Sequence, residues 1–282
     1  MIHDALGDRM KEYENVSRNY LTRRVPVVVR VDGKAFHTLT RGLNKPFDLL
    51  LMRTMQETMR ELCREIQGCM FGYTQSDEIT LILTDYRTIQ TDAWFGYNIQ
   101  KMASVSASIA TREFNRLFRE KFEAYCDSTA ERVLDNDGVL QFPAEIECRM
   151  STLLSKLDKA CFDSRCFSVP KEEVVNCLIW RQQDATRNSI ESVGHAHFSQ
   201  SELHGKNCDE IQDMLMTRKG INWNDFPADC KRGAACYRVK RQVEMEDPRN
   251  PGKQITVERN EWTIDRDIPI FTQEREFIER FL

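Results

Sequence analysis

Three carboxylates stand out by where they fall. Asp32 closes the apolar, β-branched run VPVVVRVD at 25–32, and Asp77 with Glu78 occupies the polar centre of CMFGYTQSDEITLILTD. Carboxylates at the ends of neighbouring strands are what a pair of hard divalent cations about 3.5–4 Å apart requires, because such cations take oxygen ligands and keep positions open for phosphate oxygens. Phosphoryl chemistry on Mg2+ is therefore one reading of the trio; in the plainer one, Asp-Gly and Ser-Asp-Glu only make turns. After Asp32 comes GKAFHT, a Gly-led loop whose backbone N–H groups can wrap a triphosphate, with Lys34, Lys45 and Lys101 as charge partners. It lacks the spacing of a Walker loop. His37 has no acidic neighbour or serine that would define a triad. The cluster His195-x-His197, His204 and Cys208 has residue types that suit zinc, but its spacing matches no common structural zinc site and no CxxC accompanies it.

The elements that must position these groups follow from periodicity. VPVVVRVD reads as a buried strand ending in a tight turn. Phe47, Leu50, Leu51, Met55, Met59, Leu62 and Ile66 recur at helical spacing, and CMFGYTQSDEITLILTD reads as a hairpin turning near Thr74–Asp77. A second long helix carries Met102, Val105, Ile109, Phe114, Leu117 and Phe118, and SRCFSVP is a further strand. Leu6, Met10, Tyr13 and Leu21 predict a first helix packed on the domain. The order β-α-β-β-α-β is the split βαβ, ferredoxin-like arrangement of polymerase and cyclase palms, an α/β (α+β) class. Residues 127–158 are poorly patterned. Beyond Pro170 come helices over 171–184, 185–200 and 208–218, then strands near 234–244 and 254–265. The expected division is a palm-type domain at 1–169 and an α-rich part with a terminal hairpin at 170–282, without a hard boundary.

A chain of 282 residues holds about two domains' worth of material. With 41% hydrophobic and 30% charged residues, it is neither collagen-like nor disordered. No stretch approaches the roughly 20 apolar residues that cross a bilayer, and no apolar signal core opens the chain, so the expectation is a cytoplasmic protein with no membrane partner. Ten scattered cysteines are then reduced thiols, with Cys63, Cys69 and Cys177 in the core. The net charge of −4 argues against a uniformly basic coat. Two local basic runs, 101–122 and 218–240, would suit a polyanion at a defined place, or simply solvated helix faces.

Taken together, RVDGKAFHTLTRGLNKPFD, GYTQSDEITLIL, WFGYNIQKMASVSASIA, FDSRCFSVP and WRQQDATRNS resemble the successive motifs of the tRNA(His) guanylyltransferase superfamily over about residues 1–240. The likeness is greatest to its bacterial and archaeal-type branch, the guanylyltransferase-like proteins that act as 3′-to-5′ RNA polymerases. The resemblance implies a palm enzyme, a nucleotidyltransferase that adds nucleotides to the 5′ end of tRNA. It assigns two Mg2+ to Asp32, the Gly33 carbonyl and Asp77, with Glu78 beside them. The incoming nucleoside triphosphate falls to residues 32–37 (Asp32, Gly33, Lys34, Ala35, Phe36 and His37) with Ser76, and its phosphates to Lys45 and Lys101. Activation of a 5′-monophosphate with ATP or GTP would precede attack by the incoming 3′-hydroxyl. Arg181, Asp184 and Asn188 are the implied RNA contacts, and the family's common tetramer implies a homo-oligomer.

The chain departs from the family pattern at three places. Eukaryotic enzymes dedicated to tRNA(His) carry a histidine two residues beyond the aspartate of Trp-Arg-Gln-x-Asp, where this chain has Thr186. That favours templated repair of 5′-truncated tRNAs over strict tRNA(His) recognition. Asn98 stands where relatives can have arginine, and 127–158 reads as an insertion. Two other readings compete: a nucleotide cyclase-like palm enzyme, which leaves the basic runs idle, and a non-catalytic RNA-binding protein, which leaves Asp32 and Asp77 idle.

Overall fold

An unbroken apolar run such as 27–31 is at home only in a strand covered on both faces. The computed structural model, which describes residues 4–133, 142–246, 252 and 254–282, places it there. In chain order the elements are α1 (Ala5–Val16), β1 (Val27–Gly33), α2 (Phe36–Leu39), α3 (Leu49–Glu65), β2 (Cys69–Gln75), β3 (Glu78–Leu83), α4 (Ile99–Val133), α5 (Ala144–Leu154), β4 (Phe162–Ser168), α6 (Glu173–His197), α7 (Gln200–Leu203), α8 (Cys208–Lys219), α9 (Ala228–Arg232), β5 (Ala234–Glu246), β6 (Gln254–Asp265) and α10 (Glu276–Glu279). The strands form one antiparallel sheet in the order β4-β1-β3-β2-β5-β6. Its first four strands have the ferredoxin-like order. Among the described residues, no helix is long and apolar enough to cross a membrane.

Side chains alternate across a strand, so β1 serves two cores. Val27, Val29 and Val31 pack with Met55, Met59 and Leu62 of α3 and with Met102 and Phe114 of α4. Val28 packs on the opposite face with Phe71, Tyr73 and Ile82, covered by Val174, Val175 and Leu178 of α6 and by Phe271 and Ile278 near the C-terminus. Arg30 and Asp32 share the face of Val28. Residues on both sides of position 170 thus build one sheet and one apolar cluster.

Four expectations change. The first helix forms, with Asp4 accepting from the Gly7 N–H at 3.0 Å, but none of its residues is buried. Leu6 is 59% and Tyr13 71% exposed, because α1 precedes the first bridge to the body, Tyr20 with Asn98. The helices expected over 171–184 and 185–200 are the single α6, since no proline or glycine interrupts 173–193. The stretch 127–158 contains the end of α4 and all of α5, with 134–141 outside the described residues. The basic run on α4 is largely spent on nearby carboxylates: Arg112 and Arg116 on Glu113, Arg119 on Asp158, and Lys121 on Glu57.

All ten cysteines are free, with Cys63 and Cys69 buried and Cys177 half-buried. Asn98 is buried and caps α4, accepting from the Lys101 N–H at 3.0 Å.

Candidate functional site

In the register of β1 and β3, Asp32 faces Glu78, and the Gly33 N–H donates to the Asp77 carbonyl at 3.0 Å. The turn between β2 and β3 is thereby tied to the carboxyl end of β1. Only Ser76 and Asp77 form that turn, closed by the Gln75–Glu78 pair. Ser76 has φ +50°, a left-handed conformation that costs a non-glycine residue roughly 1–2 kcal/mol. Its hydroxyl donates to Asp77 Oδ1 at 3.0 Å and so orients the carboxylate. Gly33 is required for a different reason: a Cβ there would run into the Phe36 ring.

Burial pushes the Asp77 carboxyl above its ordinary range; the Ser76 hydroxyl and its own backbone amide oppose the rise, Asp32 adds to it and His37 opposes it. Asp32 keeps 41% of its side chain exposed, with Arg165 Nη2 3.8 Å from Oδ2. Two carboxylates that repel each other, one of them largely desolvated, form an oxygen donor set that fits a hard cation such as Mg2+. Among the described residues, no group of three or more His, Cys, Asp or Glu side chains is arranged to hold a metal, and this includes His195, His197, His204 and Cys208.

A consequence concerns pH. Because the folded-state pKa of Asp77 lies above its unfolded value, the folded chain binds this proton more tightly, and stability falls as pH rises through that window. Asp77→Asn should therefore raise the Tm of the chelator-treated protein at pH 7 and give no gain below the carboxylate range. Thermal melts at both pH values check this; equal melting at pH 7 would contradict the burial argument.

Glu78 lies on the α6 face of the sheet, buried, accepting from Arg181 Nη1 at 2.9 Å and Thr80 Oγ1 at 3.2 Å, with Arg30 Nε at 3.9 Å. Burial pushes its carboxyl up, and Arg181 and then Arg30 oppose that rise. The carboxylate expected beside the metals is committed to a brace joining β1, β3 and α6. Arg181, expected to meet RNA, has 7% of its side chain exposed and points into this brace. Asp184 accepts from Arg181 at 3.4 Å and pairs with Arg187.

A cavity of about 360 Å3 opens beside Asp77, lined by Phe36, His37, Ser76, Asn188 and Ser189 among others. A neighbouring one of about 600 Å3 contains Lys45 and His195, and the two share Thr40, Pro46, Asp48, Leu51 and Ser192. The loop between them is held by Asp48, which caps α3 by accepting from the Leu51 N–H at 3.2 Å, accepts from the Asn44 N–H at 3.0 Å and pairs with Arg149 of α5 at 2.6 Å. An aspartate preceding a helical pattern was a legible cap signal for Asp48; its partner Arg149 had none.

The backbone of the GKAFHT loop is partly engaged. The Lys34 N–H donates to the Cys161 carbonyl at 2.8 Å, whereas the N–H groups of Ala35, Phe36 and His37 have no intramolecular acceptor among the described residues. Lys34 and Lys45 have exposed side chains.

Lys101 is not brought to this site. Thr111 accepts from the Phe162 N–H, Phe162 pairs with Gly33, and Lys101 lies ten residues earlier on α4, about 15 Å toward the opposite end of the sheet. Its Nζ sits 5.9 Å from the Phe95 ring centre.

A palm sheet with two strand-end carboxylates beside a cavity of this size defines a palm-type nucleotidyl-transfer fold. A family model described as tRNAHis guanylyltransferase matches residues 7–170, and the chain belongs to that family of nucleotidyltransferases. A solved bacterial tRNA(His) guanylyltransferase-like protein in complex with ATP is 39% identical, with a TM-score of 0.76 over 98% of this chain and 99% of its own. One in complex with GTP is 37% identical, with a TM-score of 0.71 over 99% of each chain. A probable tRNA(His) guanylyltransferase of Dictyostelium discoideum is 25% identical over 77% of each protein.

Proposed function

We propose that this chain adds nucleotides in the 3′-to-5′ direction to the 5′ end of tRNA, repairing 5′-truncated molecules by templating. The observation that carries the reading is that the β1 end bearing Asp32 is tied to Asp77, which lines a cavity sized for a nucleotide. The solved relatives with ATP and GTP support it.

Asp32, Asp77 and the Gly33 carbonyl would hold Mg2+. Bound there, the metal supplies activation of the attacking 3′-hydroxyl and neutralisation of phosphate charge. The chain's own groups do the positioning. The cavity receives the base and sugar of the triphosphate, and the N–H groups of Ala35, Phe36 and His37 donate toward its phosphates. Ser76 fixes the rotamer of Asp77, and Lys45 in the adjoining cavity supplies positive charge for phosphate. The 5′-monophosphate first takes the nucleotidyl group of ATP or GTP, with pyrophosphate leaving; the incoming 3′-hydroxyl then attacks the 5′-phosphorus, and the activating group leaves as the nucleoside monophosphate.

Thr186 bears on substrate choice. It lies outside the nucleotide cavity, in a groove with Gln183, Trp223, Lys231 and Arg232 on another side of α6. Without the family's histidine, selection falls to pairing with the opposite strand, because phosphate contacts carry no sequence information. We expect comparable extension of 5′-truncated tRNA(His) and of another truncated tRNA, with strong preference for the complementary nucleotide. Guanosine added to tRNA(His) alone, whatever base it faces, would overturn the reading.

A further inference from the structure

We infer that Trp180 is a stacking platform for a nucleobase at the end of the bound RNA. The inference rests on the proposed action on tRNA. Trp180 is 52% exposed, yet it is no loosely held surface residue. The Arg181 guanidinium lies 3.6 Å and the Arg30 guanidinium 5.5 Å from its ring centre. The Arg181 guanidinium is itself hydrogen-bonded to buried Glu78 at 2.9 Å, and Arg30 Nε lies 3.9 Å from the same carboxylate. The indole is thus held in place before any ligand arrives, which lowers the entropic cost of stacking on it.

Its location fits the end of a polynucleotide. Arg30 precedes Asp32 by two residues on the same strand face, one strand repeat or about 7 Å along β1, and the ring lies against the Arg30 guanidinium on that face. Directly across from Arg30 on β4 is Arg165, whose half-exposed guanidinium reaches toward Asp32 and can meet backbone phosphate beside a stacked base. Trp180 lines neither nucleotide cavity. The α6 residues that do, Ala185, Asn188, Ser189, Ser192 and His195, occupy a different face of the helix. The incoming triphosphate therefore has its own place, and the base offered to Trp180 is one of the RNA. Aromatic stacking suits that task because every base has a π-face.

The test measures binding of a 5′-truncated tRNA to the full chain with no nucleotide present, so it is scored whether or not the RNA is later extended. Trp180→Ala should weaken RNA binding about tenfold or more, while Trp180→Phe, which keeps a π-face, should stay within about threefold of the parent. In the parent, RNA should quench tryptophan fluorescence, and Trp180→Phe should lose that quenching while still binding. The triphosphate concentration that half-saturates extension should be unchanged in both variants.

RNA affinity of Trp180→Ala equal to the parent would overturn the inference. So would a changed triphosphate dependence with unaltered RNA binding, which would assign the ring to the nucleotide. Failure of phenylalanine to restore binding would mark the residue as structural. Failure of the parent to extend tRNA would count against the proposed function alone.

Discussion

Asp32→Ala and Asp77→Ala should each reduce nucleotide addition by more than about a thousandfold, equivalent to about 4 kcal/mol of barrier, while the metal-free protein melts no lower than the parent. Each carboxylate is half of a donor pair for metal that must work against triphosphate charge. Neither is needed for the fold. Asp32 is part-exposed, and its 3.8 Å approach to Arg165 is a surface pair of little energetic weight. Asp77 is held with its charged form disfavoured by burial, so its removal relieves a penalty. Single-turnover extension at saturating Mg2+, with melting curves alongside, measures both effects. Near-parental extension by a folded Asp32→Ala protein would remove the metal assignment.

The second large effect is on stability and falls on the neighbouring carboxylate. Glu78→Ala strips the counter-ion from Arg181, whose side chain is 7% exposed, and from Arg30, leaving buried cations with Asp184 3.4 Å from Arg181. Breaking a buried pair from one side costs about 3–5 kcal/mol. In a chain of this size that is a fall in Tm on the order of 10 °C. Glu78→Ala combined with Arg181→Met should recover part of the loss, because the second change removes the stranded charge. At a temperature where it is folded, Glu78→Gln should keep far more activity than Asp77→Ala. A Glu78→Ala protein that melts with the parent would show that the brace does not hold α6 to the sheet.

The contrast between Asp77 and Glu78 marks how far the sequence could be read. Asp77 sits in the hairpin turn that closes against the end of β1, so local pattern was enough to bring it beside Asp32. It could not say what covers the sheet face that Glu78 shares with Asp32. That depends on α6 lying across the sheet, where Arg181 arrives from 103 residues away. The WRQQD motif accordingly reads as polar and accessible until the helix is docked.

Lys101 illustrates a related limit. Periodicity showed that α4 packs on the sheet, but its direction along the strands decides which end receives its first turn, and that turn lies away from Asp32. For α1, an apolar stripe reports amphipathicity without naming what covers it, and in this chain no residue of α1 is buried. The ferredoxin-like strand order was legible because the apolar run, the hairpin pattern around Thr74–Asp77 and the 3.6-residue periods agree.

The central claim is tested most directly by incubating the chain with 5′-monophosphorylated, 5′-truncated tRNA, ATP, labelled GTP and Mg2+, and locating the label in the RNA. The account expects the label in a new nucleotide at the 5′ end, dependent on ATP or GTP for activation and lost in Asp77→Ala. Label at the 3′ end, or a cyclic nucleotide formed with the RNA untouched, would contradict it.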